Sequence, residues 1–326
     1  MNNIFTGGEN METAWIIIGF IIGVIVIVKG GDFFLDAATW IAEVSGVPKF
    51  VIGATVVSLA TTLPEVFVSS IAAFDGKVDM AIGNAIGSVT ANTGMIMAIG
   101  ILFMPIVVKR KQFMNKGIIL LTTIVALLLL SLSGELTIGK SLILLIIFGV
   151  FIFENLKSAK QIDGEKRVKV EATKKTTTTN IVKFIVGTAG IVLGSQLLVN
   201  CGSDIATLLG VPENIIGLTM IAIGTSLPEL VTTITAIVKK ESSISVGNII
   251  GANIIDCALI LPICSAISKG SLPVSNQVLR VDMPVCLLIA CIAIIPALIK
   301  EKFYKWQGVT CLVIYFSYLS YICFLQ

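Results

Sequence analysis

The sequence predicts an all-α integral membrane protein with ten transmembrane helices, arranged as two inverted five-helix repeats in which helices 2 and 7 are broken at the midplane. Three observations lead to this fold class. The chain of 326 residues is 56% hydrophobic and 13% charged, and its mean hydropathy of +0.99 lies outside the range of soluble domains. Apolar runs of about 20 residues, enough to cross a ~30 Å hydrocarbon core, recur along it. One long motif also occurs twice.

The apolar runs divide evenly around one polar stretch. Residues 1–155 form the first predicted repeat, residues 156–180 a linker, and residues 181–326 the second repeat. Because each repeat has an odd number of spans, the second enters the membrane from the opposite side. The predicted spans are 14–30, 46–74, 80–107, 117–133, 138–155, 181–200, 212–238, 243–268, 283–299 and 307–325.

The basic residues predict the orientation, because cytoplasmic connections carry the excess of Lys and Arg. With the N-terminus outside, 19 of the 23 basic residues fall on the cytoplasmic side, and the exceptions are Lys77, Lys140, Lys269 and Arg280. We therefore expect a multi-pass protein of the cell membrane with a cytoplasmic linker. The same excess of basic residues on the cytoplasmic side accounts for the net charge of +3, so no nucleic-acid partner is expected. The expected partner of the protein surface is the lipid bilayer.

The repeated motif is long and polar. TVVSLATTLPE occupies residues 55–65, and TMIAIGTSLPE follows 164 positions later at residues 219–229. A second pair of motifs, GNAIG and GNIIG, comes after each at the same interval. The ungapped register of 46–92 on 210–256 gives 15 identities in 47 positions, which indicates an internal duplication.

Three carboxylates, Glu65, Glu229 and Asp256, lie inside predicted spans. An acid at the bilayer centre costs roughly 2.5–3.5 kcal/mol on insertion scales, so each requires a partner, water or an ion. Pro64 and Pro228 precede the two glutamates and deprive the carbonyls four residues earlier of a helical donor. Such carbonyls are tolerated at membrane depth only in protein or beside a water-lined cavity. The combination predicts a cation site at two broken helices.

Hydroxyl side chains share the helical face of each glutamate. They lie three and four residues before it, as Thr62 and Thr61 in the first repeat and Ser226 and Thr225 in the second. In the following motif, Ser88 lies four residues before Asn92, whose counterpart in the second repeat is Asp256. The candidate ligands are all hard oxygens in a chain without histidine, which suits Ca²⁺ or Na⁺ and disfavours zinc or copper.

These motifs resemble those of the calcium/cation antiporter superfamily, most closely its prokaryotic sodium/calcium exchangers. The resemblance covers an alpha-1 motif at about 53–94 and an alpha-2 motif at about 217–258, and the ten-span layout agrees with it. It implies a secondary active antiporter, not an enzyme, that exchanges Ca²⁺ for Na⁺ by alternating access. The first and sixth helices would slide across a static bundle. We expect a functional monomer without cofactors, with Ca²⁺ and Na⁺ as transported ions.

The resemblance also implies a role for each motif residue. Glu65 and Glu229 would be the central ligands shared by both ions. The carbonyls of Thr61 and Thr225 would complete the Ca²⁺ site. Flanking Na⁺ sites would use the side chains of Thr62, Ser226 and Ser88 and the backbone oxygens of Ser58 and Ala222. Asn92 and Asp256 would line the middle of the cluster.

Two departures from the family pattern leave the driving ion open. Thr62 stands where the family usually has Ser, and Ala252 stands where it usually has Ser, which removes one oxygen. A Ca²⁺ antiporter coupled to H⁺ through Asp256 is therefore the alternative. A passive cation channel is disfavoured because channels usually build filters from oligomeric rings. An intramembrane hydrolase is disfavoured because the glutamates lie in Leu-Pro-Glu motifs.

Overall fold

The computed structural model describes residues 5–104, 110–160, 173–210 and 224–324, which are almost entirely helical. The first half contains α1 (Phe5–Ser45), α2 (Lys49–Ile52), α3 (Ser58–Thr61), α4 (Leu63–Phe74), α5 (Val78–Ala91), α6 (Ala98–Phe103), α7 (Arg110–Ser131) and α8 (Ile138–Lys160). The second half contains α9 (Lys174–Leu208), α10 (Leu227–Lys239), α11 (Ser242–Ile255), α12 (Leu261–Ile267), α13 (Met283–Lys300) and α14 (Lys305–Phe324).

Wider π-helical turns interrupt several of these helices. One at Gly53–Val57 joins α2 to α3, one at Asn92–Met97 joins α5 to α6, and one at Asp256–Ile260 joins α11 to α12. A fourth, Val278–Asp282, leads into α13. Single π turns inside helices are frequent at functional sites, and two of these begin at predicted site residues.

The predicted membrane architecture is confirmed at the level of helices. Within the described residues, eight helices are long and apolar enough to cross a membrane, or nine if the pair Lys49–Thr61 and Leu63–Phe74, bent by 45°, counts as one span. The seventh predicted span, 212–238, is represented by α10, and residues 211–223 before it lie outside the described part. The most buried spans are Val78–Phe103 (72%) and Ser242–Ile267 (83%), so α5 and α11 form the centre of the bundle.

Helix α1 is longer than the predicted span 14–30 and continues to Ser45 through two aspartates. Nζ of Lys239, at the end of α10, lies 2.6 Å from Oδ1 of Asp36 and 3.3 Å from Oδ1 of Asp32. Lys183 on α9 lies 4.0 Å from Oδ2 of Asp36. These partners explain why the helix continues past the apolar run, because the charges on its last turns are paired.

Helices α1 and α9 approach each other closely through glycines. A Cβ at Gly194 would lie 2.8 Å from the amide nitrogen of Ile27, and a Cβ at Gly30 would lie 2.7 Å from that of Ile191. Since 27 + 164 = 191 and 30 + 164 = 194, exchanging the two halves converts one contact into the other. The α1–α9 seam is therefore made of matched contacts.

The segment from α2 to α3 lies against α11, again through glycines. A Cβ at Gly247 would overlap the carbonyl oxygen of Phe50, and a Cβ at Gly53 would overlap that of Ile244. Only glycine permits this backbone-to-backbone contact. It brings the break after Thr61 beside the middle of α11.

The duplication is visible in local backbone structure. Helix α5 (Val78–Ala91) and helix α11 (Ser242–Ile255) begin and end at matched positions, since 78 + 164 = 242 and 91 + 164 = 255. In the turn before each helix, Gly76 has a φ of 75° and its counterpart Lys240 a φ of 60°. A lysine thus adopts the left-handed conformation that a glycine takes in the first half, which is uncommon for a non-glycine residue.

The sequence did not predict a small antiparallel ribbon that links the two halves. Strand β1 (Glu135–Thr137) pairs with β2 (Ser271–Pro273), with Leu136 opposite Leu272. Both leucines are buried, so the ribbon closes one end of the bundle with an apolar contact.

Candidate ion-binding site

Two matched helix breaks form the framework of the site. Thr62 ends α3 and precedes α4 with φ −83° and ψ 0°, and Ser226 precedes α10 with φ −85° and ψ 2°. Pro64 and Pro228 stand in the first turns of α4 and α10, where a proline costs no helical hydrogen bond. The breaks therefore start new helices, and each new helix directs its N-terminus toward the site.

The glutamates occupy these N-termini. Glu65 lies in the first turn of α4 and Glu229 in the first turn of α10, and Asp256 begins the π turn after α11. The exposed fraction of all three side chains is 0%. The hydroxyl of Thr62, three residues before Glu65, lies 3.4 Å from Oε1 of Glu229, so the two glutamates belong to one neighbourhood. Helix N-termini stabilise nearby negative charge, which partly offsets the repulsion between acids placed this way.

The most informative property of the site is a set of buried oxygens without hydrogen-bond partners among the described residues. Buried polar atoms are almost always satisfied, so such a set requires an explanation. The set comprises both carboxylate oxygens of Glu65, both of Asp256, Oε2 of Glu229, Oδ1 of Asn92 and Oγ of Ser226. The carboxylates likewise form no ion pair with lysine or arginine in the described part of the chain.

The number and chemistry of these atoms suit a dehydrated cation. Ca²⁺ takes six to eight oxygen ligands at about 2.3–2.6 Å, and Na⁺ is likewise a hard cation that prefers oxygen. Within the described residues, no group of three His, Cys, Asp or Glu side chains is arranged to hold a metal ion by itself. Hydroxyl, amide and backbone oxygens therefore have to complete any coordination shell.

The threonines at the breaks make contacts between the halves. Oγ1 of Thr62 donates to the carbonyl oxygen of Ser58 at 2.6 Å and lies 3.4 Å from Oε1 of Glu229. Oγ1 of Thr61 donates to Oδ1 of Asn248 at 3.1 Å. The site is thus assembled from both copies of the motif.

The counterpart threonine makes the matching contact. Oγ1 of Thr225 donates to Oδ1 of Asn84 at 3.2 Å, and Oγ of Ser88 lies 3.4 Å from the same hydroxyl. Ser88 therefore lies beside the helix break of the opposite half. Asn84 and Asn248 were not among the predicted site residues, although both stand in the repeated GN motif.

Asn92 is held by a short amide chain. Its Nδ2 donates to Oδ1 of Asn253 at 3.1 Å, and Nδ2 of Asn253 donates to Oγ1 of Thr93 at 2.8 Å. This chain fixes the orientation of the Asn92 amide and leaves its Oδ1 unpartnered within the described residues. Asn253 is a third residue that the sequence did not point to, since Val89 stands at its counterpart position.

Of the two predicted backbone ligands, Ser58 and Ala222, the structure describes only Ser58. The carbonyl oxygen of Ser58 accepts from the backbone N–H of Thr62 at 2.9 Å and from its hydroxyl at 2.6 Å, so this oxygen already has two donors. Ala222, its counterpart, lies outside the described residues. Ala252, the counterpart of Ser88, is fully buried and offers no side-chain oxygen.

Comparisons with known proteins identify the family. A sequence profile of the sodium/calcium exchanger protein family matches residues 15–156 and 179–324. The chain belongs to this family. It is 31% identical over 296 residues to an uncharacterized membrane protein of Methanocaldococcus jannaschii, covering 91% of this chain and 94% of the relative. It is also 29% identical over 337 residues to the sodium/calcium exchanger MaX1 of Methanosarcina acetivorans, covering 92% and 96%.

A solved structure of the sodium-calcium exchanger NCX_Mj, soaked with Na⁺ and Sr²⁺, has the same fold. The TM-score is 0.83 at 28% sequence identity, and the match covers 96% of this chain and 100% of that chain. The chain is therefore a multi-pass membrane protein of a transporter family whose activity is cation exchange. The predicted resemblance is confirmed at this level.

Proposed function

We propose that this exchanger is a secondary active antiporter that moves Ca²⁺ in exchange for Na⁺ by alternating access. The observation that carries the proposal is the set of seven buried oxygens on Glu65, Glu229, Asp256, Asn92 and Ser226 that have no hydrogen-bond partner in the described part of the chain. Acids buried at membrane depth, with no lysine or arginine paired to them among the described residues, are best accounted for by a cation that binds among them and leaves again. Two similar proteins, the sodium/calcium exchanger MaX1 and the sodium-calcium exchanger NCX_Mj, support the choice of ions.

The residue roles follow the predicted assignment. Glu65 and Glu229 are the central ligands, and the carbonyls of Thr61 and Thr225 complete the Ca²⁺ site. Thr62, Ser226 and Ser88 form flanking Na⁺ sites, together with backbone oxygens of Ser58 and Ala222, and Asn92 and Asp256 line the middle. Oxygens of Glu65, Glu229, Asn92 and Ser226 that have no hydrogen-bond donor among the described residues support these roles. The two donors already on the Ser58 oxygen weaken its part.

The architecture that this function requires is the ten-helix inverted repeat, with residues 1–155 and 181–326 as repeats and 156–180 as the linker. The matched helices α5 and α11 and the matched contacts of the α1–α9 seam support it. The basic residues support an outside N-terminus and a cytoplasmic linker in the cell membrane. Because one chain contains both halves of the site, a monomer is sufficient.

Alternating access would use the α1–α9 pair as the moving part. The seam is lined by glycines, and α1 and α9, at 41 and 35 residues, are the two longest helices in the described part of the chain. Sliding of this pair would expose Glu65 and Glu229 to one side of the membrane at a time, in the manner of one rigid body against another.

Coupling to H⁺ is the second candidate, and Ala252 favours it. The first half has Ser88 at this position, so the second half lacks one hydroxyl that a Na⁺ site would use. With fewer oxygens for Na⁺, Asp256 would carry a proton in place of the cation. This alternative changes the driving ion and keeps the same Ca²⁺ site.

A flux assay in liposomes separates these possibilities. Purified protein is reconstituted, the vesicles are loaded with Na⁺, and uptake of radioactive Ca²⁺ is followed after dilution into Na⁺-free medium. We expect uptake that depends on the Na⁺ gradient and fails with K⁺ inside. Uptake driven by a pH gradient alone would favour H⁺ coupling. Uptake that follows membrane potential without any counter-ion gradient would indicate a channel, and absence of a Na⁺ response would contradict the proposal.

A further inference from the structure

Asn84 and Asn248, which have no predicted role in ion binding, make equivalent hydrogen bonds to threonines of the site. Oδ1 of Asn248 accepts from Thr61, and Oδ1 of Asn84 accepts from Thr225, at 3.1 and 3.2 Å. Since 61 + 164 = 225 and 84 + 164 = 248, the two hydrogen bonds are copies of each other, and each joins one half of the chain to the other. All four side chains are buried.

The direction of these hydrogen bonds matters for a cation. A threonine hydroxyl has one proton and two lone pairs. For Thr61 the proton has two acceptors within reach, Oδ1 of Asn248 at 3.1 Å and the carbonyl oxygen of Ser58 at 3.4 Å, and the amide oxygen is the nearer. When the proton points to the amide oxygen, the hydroxyl faces its other neighbours only as an acceptor. A cation requires this arrangement, because a proton directed at the ion would repel it. The amide therefore determines whether Thr61 and Thr225 can face a cation.

The orientation of the Asn84 amide is itself fixed. Its Nδ2 donates to Oγ of Ser69 at 2.9 Å and lies 3.5 Å from the carbonyl oxygen of Glu65. With both donor contacts on that side, Oδ1 has to face Thr225. The same amide thus touches the backbone of one central acid and the hydroxyl at the opposite helix break.

We propose that Asn84 and Asn248 are positioning residues that orient the hydroxyls of Thr225 and Thr61, each in the opposite half, as acceptors for the transported cation. The inference rests on the proposed function and extends it in two ways. It adds the hydroxyls of Thr61 and Thr225 to their carbonyl oxygens as cation ligands, and it assigns a positioning role to two asparagines that bind no ion themselves. Each asparagine acts through its threonine. Loss of either partner of a pair should therefore have the same consequence for cation binding.

A double-mutant cycle tests this on the full chain in detergent. Ca²⁺ and Na⁺ titrations by calorimetry compare the unmodified protein with Asn248→Leu, Thr61→Val and the combination. We expect each single variant to weaken binding by about 3- to 10-fold, the range of one net hydrogen bond. The combination should be no weaker than Thr61→Val alone. Additive weakening, or none in Asn248→Leu, would overturn the proposal.

Two controls keep the outcome interpretable. Asn155→Leu removes a buried amide whose one hydrogen bond among the described residues is to the carbonyl oxygen of Phe151 in its own helix, and it should leave the titrations unchanged. Thr61→Ser keeps the hydroxyl and should bind Ca²⁺ and Na⁺ more tightly than Thr61→Val does. If Asn248→Leu does not give folded protein, equal affinity in Thr61→Val and Thr61→Ser would still overturn the proposal. Failure of the proposed function appears separately, as absent Na⁺-driven flux in the unmodified chain.

Discussion

The hydroxyl of Thr62 lies 3.4 Å from Oε1 of Glu229, so a side chain of the first half reaches the acid of the second. The reciprocal pair is Ser226 and Glu65, and there neither the hydroxyl oxygen nor either carboxylate oxygen has a partner within the described residues. The two halves of the site therefore share residues but differ in hydrogen bonding. Within the described residues, both carboxylate oxygens of Glu65 lack a hydrogen-bond partner, whereas only Oε2 of Glu229 does.

Neutralising either central acid should abolish Ca²⁺ transport. Glu65→Gln and Glu229→Gln keep the size of the side chain and remove the charge that holds the cation, so Ca²⁺ uptake into liposomes should fall by about 100-fold or more. The elution profile in detergent should stay that of the unmodified protein. Asp79→Asn, which neutralises an exposed acid in the first turn of α5, is the control and should transport normally. Residual uptake above a tenth in the glutamine variants would contradict the assignment.

Restoring the missing hydroxyl should strengthen Na⁺ binding. Ala252→Ser gives the second half the oxygen that Ser88 supplies in the first, and we expect the Na⁺ concentration for half-maximal Ca²⁺ release to fall by about 2- to 10-fold, the effect of one added polar contact. The dependence on Na⁺ concentration measures it. Ala290→Ser, at a buried position of α13, should not change this value. No difference between the two variants would show that position 252 does not face a Na⁺ site.

The glycine contacts between α11 and the α2–α3 segment should be sensitive to one methyl group. Gly247→Ala places a Cβ against the carbonyl oxygen of Phe50, and we expect a loss of about 1–3 kcal/mol in the free energy of unfolding. Thermal melting in detergent monitors the change. Gly149→Ala is the matched control, since a Cβ there meets no described atom within 4 Å and alanine favours the helix. Equal melting temperatures of the two variants would contradict this contact.

The ion pairs of Lys239 should contribute little stability, and only at low salt. The Lys239 side chain is 26% exposed and its partners Asp32 and Asp36 are 38% and 45% exposed, so Lys239→Met should cost at most about 1 kcal/mol. In 1 M salt, where screening acts within about 3 Å, the difference should vanish. Lys77→Met, which removes a lysine without an ion pair in the described residues, should not change the melting temperature. A loss that persists in high salt would point to packing of the lysine stem or to the hydrogen bond that Nζ donates to the carbonyl oxygen of Asp32 at 3.0 Å.

Much of the fold and part of the site could be predicted from the sequence. Apolar runs locate the helices because each span has to satisfy its own backbone in lipid, and the repeat identifies Glu65 and Glu229. The role of Asn248 could not be predicted, because its partner Thr61 lies 187 positions away and a single sequence does not show which distant residues are in contact. The extension of α1 depends in the same way on a distant residue, Lys239. The π turn at Asp256 has no sequence signature that we recognise.

The α1–α9 seam has one further consequence. Its contacts pair Ile27 with Gly194 and Ile191 with Gly30, and swapping the halves returns the same set. A surface with this property is self-complementary, like the isologous interface of a C₂ dimer. Two copies of a single five-helix ancestor could have associated through it before their genes were joined.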